Sequence, residues 1–275
     1  MTTPAAPADL YLDLMAKMLT RYGFEGRNVT VKLHARSYES YLWDLVRGAM
    51  PGRDIRMVEH GEFNAAFREE GRDWPADAET MIGLKRLANL RQCTESVLAD
   101  DVPGDLIETG AWRGGATIFM RAILAAHGVT DRKVWVADSF EGLPEHDGRY
   151  DADAGDQHHT REELAISVDS VKENFRRYGL LDEQVEFLVG WFSDTLPGAP
   201  IDRLSILRLD GDMYASTMDA LEALYDRVSP GGYVIVDDYG AVAACAQAIH
   251  DFRDARQITD PIEQVDWAGV YWRKS

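Results

Sequence analysis

The sequence contains few cysteines and, for its length, few cations. Its 275 residues include two cysteines, Cys93 and Cys245, and neither belongs to a CxxC pair. A zinc or dithiol site is therefore not expected, and both residues should be free, buried thiols. The 29 lysines and arginines stand against 47 aspartates and glutamates, which gives a formal net charge of −18. This charge repels phosphate backbones and anionic lipids, so neither nucleic acid nor a membrane is an expected partner.

Long apolar runs are also missing from the sequence. No stretch reaches the roughly 18 continuous apolar residues that a membrane-spanning helix needs. The opening residues, MTTPAAPADL, lack the basic and apolar regions of a secretory signal. We therefore expect a soluble, cytoplasmic protein. Its 45% hydrophobic residues are enough for one large domain with an appendage.

Residues 1–100 have the apolar spacing of helices. Hydrophobic residues repeat at helical intervals over 10–19, 41–46 and 81–97. We interpret this region as a helical cap whose apolar faces pack on the catalytic domain or on a second copy of the chain. The second possibility predicts a homo-oligomer.

Residues 101–275 change to short β-rich runs that alternate with helical segments, a pattern typical of a parallel sheet with crossover helices. The predicted strands are 105–109, 133–137, 185–189, 204–209 and 232–237. The predicted helices include 116–127, 168–178, 217–228 and 243–255. Two further strands, 262–267 and 269–272, have no helix between them. An antiparallel hairpin should therefore complete a seven-stranded, mostly parallel α/β sheet.

A glycine-rich turn, DLIETGAWRGG, follows the first predicted strand. Gly110 and Gly114 let the backbone turn tightly and approach a ligand, but their spacing is not the GxGxxG of dinucleotide sites. Glu108 would repel a pyrophosphate, whereas a carboxylate suits the cationic amino group or the sulfonium of S-adenosylmethionine (SAM). A plain tight turn is the alternative interpretation.

Two further strand ends favour an adenosyl ligand. Asp138, followed by Ser139, ends the second predicted strand. An acidic residue there accepts hydrogen bonds from ribose hydroxyls, in NAD sites as well as in SAM sites. Ser193 belongs to the polar loop 190–195 after the third strand, which is suitably placed to border an adenine ring. Trp191 in that loop either joins this border or packs in the core.

Four aspartates follow the fourth and fifth predicted strands: Asp210, Asp212, Asp237 and Asp238. The carboxyl ends of adjacent parallel strands face one crevice, so these side chains should converge. Burying them together is costly unless a cation neutralises them, and an all-oxygen set favours Mg²⁺ over zinc. A helix cap is the alternative role for one of the four. Asp212 is the first candidate for the general base that takes a hydroxyl proton, and Asp210 is the second.

Eight ordered blocks resemble the macrocin-type (TylF-type) O-methyltransferases, which methylate deoxysugar hydroxyls of antibiotics. They are TMIGLKRL, ETGAWRGGA, VWVADSFEGLP, RYGLLD, GWFSDTLP, LRLDGDMY, SPGGYVIVDDY and GVYWR. The resemblance implies a Rossmann-like class I SAM-dependent methyltransferase fold. The positions that match the family's metal ligands are Asp210, Asp237 and Asp238. The positions that match its SAM contacts are Thr80, Met81, Glu108 and Asp138.

The function expected from this resemblance is SAM- and Mg²⁺-dependent methylation of a small-molecule hydroxyl, one of a vicinal pair on a sugar of a secondary metabolite. Segments 34–60 and 145–167 depart from the family pattern and should border the acceptor. A phenolic or polyketide hydroxyl therefore stays an alternative acceptor. An NAD(P)-dependent oxidoreductase is disfavoured by Glu108 and by the missing GxGxxG. A non-catalytic SAM-binding protein is disfavoured because binding alone would not need the carboxylate cluster.

Segment 145–167 is polar and interrupts the path from the second strand to its helix, which favours a mobile lid. Its His158 and His159 either contact the acceptor and assist proton transfer or are solvated loop histidines. Tyr214 and Tyr239, beside the aspartates, either line the acceptor pocket or serve packing.

Overall fold

The computed structural model describes residues 6–24, 27–30, 37–53, 55 and 57–275. The helices are α1 (Pro7–Leu19), α2 (Tyr38–Ala49), α3 (Ala65–Glu69), α4 (Leu84–Ala99), α5 (Gly115–Ala126), α6 (Val168–Arg177), α7 (Phe192–Thr195), α8 (Tyr214–Leu224) and α9 (Ala243–Ala255). The strands are β1 (Arg27–Thr30), β2 (Val58–Gly61), β3 (Asp105–Thr109), β4 (Val134–Asp138), β5 (Val185–Val189), β6 (Leu204–Leu209), β7 (Val228–Val236), β8 (Glu263–Gln264) and β9 (Val270–Arg273).

A seven-stranded sheet with the order β5-β4-β3-β6-β7-β9-β8 forms the centre of the molecule. Strands β5, β4, β3, β6 and β7 run parallel, whereas β9 is antiparallel to both β7 and β8. The predicted α/β sheet with a terminal antiparallel hairpin is confirmed. Because β3 and β6 are neighbours, the turns after these central strands lie side by side at one edge.

The core lies on both faces of this sheet. All six residues of β6 are buried, as expected for a central parallel strand covered on two sides. On one face, α1 and α4 pack with α5 and bury leucines such as Leu12 and Leu90 in the same cluster as Ile118. On the other face, α8 and α9 contribute Leu221 and Ile249. The first and fourth helices therefore share the core of the catalytic sheet.

Four predicted boundaries were wrong by three residues or more, and one of them is the start of β7, which lies at Val228 rather than 232. Helix α8 begins at Tyr214 rather than 217, because a distant carboxylate caps its first turn. It ends at Leu224 rather than 228, where a 3₁₀ turn leads directly into β7. Strand β8 covers only two residues of the predicted 262–267. The Asp266 side chain turns the chain there by accepting hydrogen bonds from the backbone N–H groups of Ala268 and Gly269, at 2.9 and 2.8 Å.

A small antiparallel pair, β1 with β2, was not predicted. It joins residues that are about thirty positions apart. Each strand has four residues, which is too short to show the alternation of apolar and polar residues that identifies a strand. Residues 31–36, 54 and 56 lie outside the described residues, so the predictions for segment 34–60 are followed only in part. The division into a cap at 1–100 and a catalytic domain at 101–275 stays a prediction.

Both cysteines are buried free thiols, as the sequence predicts. Among the described residues, no helix has the length and apolar character needed to cross a membrane.

Candidate active site

Two cavities of about 270 and 220 Å³ open where the parallel strands of the sheet end. The first cavity lies beside the glycine turn and the ends of β4 and β5, and the second lies above the aspartates. Five residues line both cavities: Met81, Trp112, Leu164, Asp210 and Asp212. The predicted catalytic aspartates therefore lie at the boundary between the two cavities.

The first cavity brings together several residues that were predicted to bind SAM. Its lining includes Met81, Gly110, Asp138, Ser139 and Ser193. Gly110 has a φ of +99°, and a Cβ there would lie 1.7 Å from the Asp210 carbonyl oxygen, so no side chain fits. Trp191 lines this cavity and is 36% exposed, so it borders the cavity rather than packing in the core.

Asp138 lines the first cavity and also holds the glycine turn in place. Its carboxylate accepts hydrogen bonds from the backbone N–H groups of Ala111, Trp112 and Phe140, at 2.8, 3.1 and 2.7 Å. These bonds tie the glycine turn to the end of β4. Burial raises the pKa of Asp138, while the three N–H groups act in the opposite direction. The Ser139 hydroxyl lies 3.5 Å from Asp138 Oδ1 as a fourth, longer contact, so the carboxylate has donors at about all four of its acceptor positions.

Gly114 and Thr80 have structural contacts of their own. Gly114 lines neither cavity. It precedes the first residue of α5 with a left-handed φ of +84°, and a Cβ at this position would lie 2.7 Å from Val171 Cγ1. Thr80 lines the second cavity, and its hydroxyl accepts a hydrogen bond from the Ile82 backbone N–H. The Thr80–Met81 pair therefore passes directly beside both cavities.

Three of the predicted aspartates form one cluster. Asp210, Asp237 and Asp238 each offer a carboxylate oxygen, and these oxygens lie within 4.8 Å of one another. Asp212 lies beside them, and its backbone N–H donates to Asp238 Oδ2 at 3.1 Å. Asp212 has a left-handed φ of +55°, so the backbone turns sharply at the position of the predicted base.

Two buried arginines, which the sequence analysis missed, hold this cluster together. The Arg208 guanidinium, 1% exposed, donates to Glu108, Asp237 and, at 2.6 Å, Asp210. Arg86 donates to Asp237 and, at 3.0 Å, to Asp266. Arg208 lies inside an apolar strand, two residues before Asp210, so a basic residue at this inward position was the available signal.

The arginines do not neutralise all of the buried carboxylates. Burial, with a contribution from Asp237, raises the pKa of Asp210 to about 7. Burial likewise raises the pKa of Asp238 well above its ordinary value, and that of Glu108 to about 8. Glu108 is 2% exposed, and among the described residues its Oε2 has no hydrogen-bond partner. The cluster therefore carries excess negative charge that a bound cation would relieve.

The second cavity places one predicted histidine near the aspartates. His158 lines it, and its Nδ1 lies 2.6 Å from Asp156 Oδ2, which orients the ring. His159 is exposed and lines neither cavity. The wall also contains residues that the sequence analysis did not single out: Trp74, Arg161 and Trp267.

The two predicted tyrosines are directed away from both cavities. The Tyr214 hydroxyl donates to Asp251 Oδ2 at 3.0 Å, and its ring packs on Tyr150. The Tyr239 hydroxyl lies 2.7 Å from His250 Nε2. Neither tyrosine lines a cavity, and neither do the described residues of 34–60.

Residues of segment 145–167 line both cavities, and hydrogen bonds at two points tie the segment to the rest of the chain. Asp153, 2% exposed, accepts hydrogen bonds from the backbone N–H groups of Tyr214 and Ala215, at 2.7 and 2.9 Å. This is the cap that starts α8 early. The Trp112 indole N–H donates to the Glu163 carbonyl at 2.9 Å, which links the segment to the glycine turn.

Comparison with known proteins shows the family to which the chain belongs. The family model described as Macrocin-O-methyltransferase (TylF) matches residues 8–274. A Streptomyces olivaceus protein, 8-demethyl-8-(2,3-dimethoxy-alpha-L-rhamnosyl)-tetracenomycin-C 4'-O-methyltransferase, is 52% identical over 269 residues, which are 96% of this chain and 92% of the relative. Demethyldecarbamoylnovobiocin O-methyltransferase of Streptomyces niveus is 49% identical over 272 residues, covering 98% and 94%. The solved structure of the O-methyltransferase NovP superposes with a TM-score of 0.83 at 48% identity and covers 98% of this chain and 99% of that one.

Proposed function

Since the chain belongs to the macrocin O-methyltransferase (TylF) family and is an O-methyltransferase, we propose that it methylates a sugar hydroxyl of a secondary metabolite, using SAM and Mg²⁺. The observation that carries this proposal is the position of Asp210 and Asp212 on the boundary of the two cavities. The first cavity contains most of the residues predicted to bind SAM, and the second contains the aspartate cluster together with Thr80 and Glu108.

The residues around the glycine turn fit SAM. Gly110 keeps the space beside Asp210 free of a side chain, and Ser139 and Ser193 offer hydroxyls along the first cavity. Glu108 Oε2 is a buried acceptor in need of a donor, which suits a ligand with an ammonium group. SAM would supply the electrophilic methyl carbon.

The aspartate cluster fits Mg²⁺. Its donors are all carboxylate oxygens, the ligand type that Mg²⁺ prefers, and the raised pKa values of Asp210 and Asp238 indicate that positive charge is lacking. Mg²⁺ held by Asp210, Asp237 and Asp238 would lower the pKa of a hydroxyl bound beside it.

The chain's own residues would orient the acceptor and take its proton. Asp212 lines both cavities, so its carboxylate lies near the point where an acceptor oxygen and a donor methyl meet. We assign it as the base that would take the proton of the acceptor hydroxyl, with Asp210 as the second candidate. The methyl group would pass to the acceptor oxygen as the methyl–sulfur bond breaks, and S-adenosylhomocysteine would leave. His158, fixed by Asp156, would contact the acceptor from the lid. Segment 145–167 would keep water away during the transfer.

Removing the metal tests the proposal directly. With a glycoside acceptor, EDTA should abolish formation of S-adenosylhomocysteine, and Mg²⁺ should restore it. Asp210→Asn should lower kcat at least a hundredfold, because the cluster loses a charged ligand, whereas Asp202→Asn, on an exposed side chain, should leave kcat unchanged. Full activity in EDTA would overturn the Mg²⁺ part.

The acceptor class needs a separate measurement. A catechol could also present two adjacent oxygens to the cluster, so a phenolic hydroxyl stays the second candidate. The mass and the position of the new methyl group on a sugar glycoside and on a catechol, supplied in equal amounts, separate the two. Faster methylation of the catechol would contradict the sugar proposal.

Two broader properties belong to the same proposal. We propose a homo-oligomer, supported by the exposed apolar side chains of α2, among them Tyr41 and Leu45 at 62% and 53% exposure. We also propose that the enzyme acts in the cytoplasm, supported by its free buried thiols, Cys93 and Cys245, since such thiols persist in reducing compartments.

A further inference from the structure

Two partly exposed tryptophans line the second cavity. Trp74 and Trp267 both line it, and their exposed fractions are 46% and 38%. Large apolar side chains that stay exposed beside a cavity are typical of binding surfaces rather than of a core. Neither residue takes part in the proposed chemistry at the aspartates, so their exposure needs another explanation.

The Trp267 ring is held in place before any ligand binds. Its indole N–H donates to the Glu70 carbonyl at 2.8 Å. The Arg72 guanidinium lies 5.0 Å from the ring centroid, and that of Arg86 lies 6.0 Å from it. The hydrogen bond and the two cations fix the position of the ring, so a ligand that packs on the remaining surface loses little entropy from ordering it.

Trp74 is supported through its neighbours in the chain. Asp73 is buried, and both of its carboxylate oxygens accept from Arg68 Nε, at 2.9 and 2.8 Å. Pro75, which follows Trp74, is also buried. The backbone on both sides of Trp74 is therefore anchored while the indole faces outward to the cavity.

The second cavity is lined by both charged carboxylates and apolar indole rings, and this combination defines the ligand that fits. The lining contains the carboxylates of Asp210, Asp237 and Asp238 and also the two indoles. A pyranose ring has hydroxyls along its edge and C–H groups on its faces, so its edge can meet the carboxylate site while a face packs on an indole. Indole rings supply such contact area with few rotatable bonds.

We propose that Trp74 and Trp267 are specificity-determining residues that bind the ring face of the acceptor sugar and thereby present one hydroxyl to Asp210 and Asp212. This proposal rests on the proposed sugar acceptor and adds the residues that select it. We expect their contribution to act on acceptor binding. Glu108 and Thr80, which are assigned to the methyl donor, line the same second cavity, so the affinity for the donor product is measured separately.

Binding, measured apart from turnover, tests this proposal. The probe is 8-demethyl-8-(2,3-dimethoxy-α-L-rhamnosyl)-tetracenomycin C, the glycoside in the name of the relative at 52% identity. It is titrated by calorimetry into the full chain saturated with S-adenosylhomocysteine and Mg²⁺. We expect Trp74→Ala and Trp267→Ala each to raise the Kd of the glycoside at least tenfold, with an unchanged Kd for S-adenosylhomocysteine. Trp74→Phe and Trp267→Phe should recover most of the affinity.

Trp43→Ala is the matched control, since Trp43 lies on α2 and lines neither cavity. Unchanged glycoside affinity in both cavity variants, no measurable binding to the wild-type chain, or an equal loss in Trp43→Ala would each overturn the proposal. The proposed function fails differently: a wild-type chain that binds the glycoside through these tryptophans yet transfers no methyl group to it would contradict the reaction and leave this inference standing.

Discussion

Glu108 occupies a fully buried position at the end of β3, with one oxygen bound by Arg208 and the other lacking a partner among the described residues. Burial raises its pKa to about 8, so below this pH the neutral acid is favoured. A ligand with an ammonium group favours the carboxylate and lowers the pKa. Binding of S-adenosylhomocysteine at pH 7 should therefore release a proton, and its affinity should rise as the pH increases towards 8.

Glu108→Gln should remove this pH dependence and weaken S-adenosylhomocysteine binding at least tenfold at pH 8. The reason is that a glutamine amide stays neutral and cannot form an ion pair with the ammonium group. Calorimetry in two buffers of different ionisation enthalpy measures both effects. Glu183→Gln, on an exposed residue, serves as the control. Equal proton release by the wild type and by Glu108→Gln would show that another group responds to the ligand.

Arg208 is the charged centre of the aspartate cluster, and its loss should destabilise the fold. Arg208→Met leaves the buried carboxylate of Glu108 without its arginine partner and that of Asp237 with Arg86 alone, which costs about 3 kcal/mol or more for a broken buried ion pair. Thermal unfolding should show this loss, with partial recovery in millimolar Mg²⁺, since a cation replaces part of the missing charge. Arg203→Met, on an exposed side chain, should unfold like the wild type.

These residues also mark how far the sequence predicts the site. Asp210, Asp237 and Asp238 were predictable because each follows a strand, and parallel strands end at one edge. Arg86 was not predictable as a member of the site. It lies on α4, 151 positions from Asp237, and no local pattern in the sequence indicates such a partner. Trp74 and Trp267 were missed for the same reason: both lie in irregular segments that only the folded chain brings to one cavity.

At the scale of elements, segment 145–167 and α8 depend on each other. Asp153 caps the first turn of α8 from 61 positions away, and Arg149 adds a two-point ion pair to Asp219 on the same helix, at 2.8 and 2.9 Å. The sequence around 214 contains no local capping side chain. For this reason nothing in the local sequence indicates that the helix begins at 214 rather than at the predicted 217. The start of α8 is therefore set by tertiary structure, immediately after Asp210 and Asp212.

Asp153→Ala should release the segment from α8. The two N–H groups of the first turn lose their acceptor, a change worth about 1 to 2 kcal/mol for a helix cap. Hydrogen exchange over 149–164 and at the start of α8 should become faster, and the KM for the acceptor should rise, while the sheet keeps its protection. Asp151→Ala, on an exposed carboxylate in the same turn, is the control. Unaltered exchange in Asp153→Ala would contradict an anchoring role.

At the scale of the whole molecule, the alternation of short strands and helices after residue 101 predicted the sheet, including its terminal hairpin, because hydrophobic period and chain order limit an α/β fold strongly. The same reasoning works less well before residue 100. There, α1 and α4 are amphipathic and buried in the core, whereas α2 has an equally apolar face and no buried residue. The hydrophobic period of a helix identifies its apolar face but not the surface against which that face packs.

The apolar face of α2 supports the last prediction. Tyr41, Leu42, Leu45 and Val46 are between 39% and 62% exposed, and a second copy of the chain would bury them, which yields roughly 25 cal/mol per Å² of apolar surface. A chain with a net charge of −18 repels its own copies at long range, so association should strengthen with salt as the repulsion is screened. Light scattering after gel filtration should give a mass above that of one chain at roughly physiological ionic strength.

Leu45→Glu should shift this equilibrium to the single chain, since it places a charge in the proposed contact, and it should leave S-adenosylhomocysteine affinity unchanged because α2 lines neither cavity. Lys85→Glu, which alters a charge on an exposed side chain of α4, tests whether added negative charge alone separates the subunits. Assembly that resists Leu45→Glu would exclude the apolar face of α2 as the interface. A monomeric wild type at all salt concentrations would contradict the oligomer itself, and the exposed α2 face would then need a partner other than this chain.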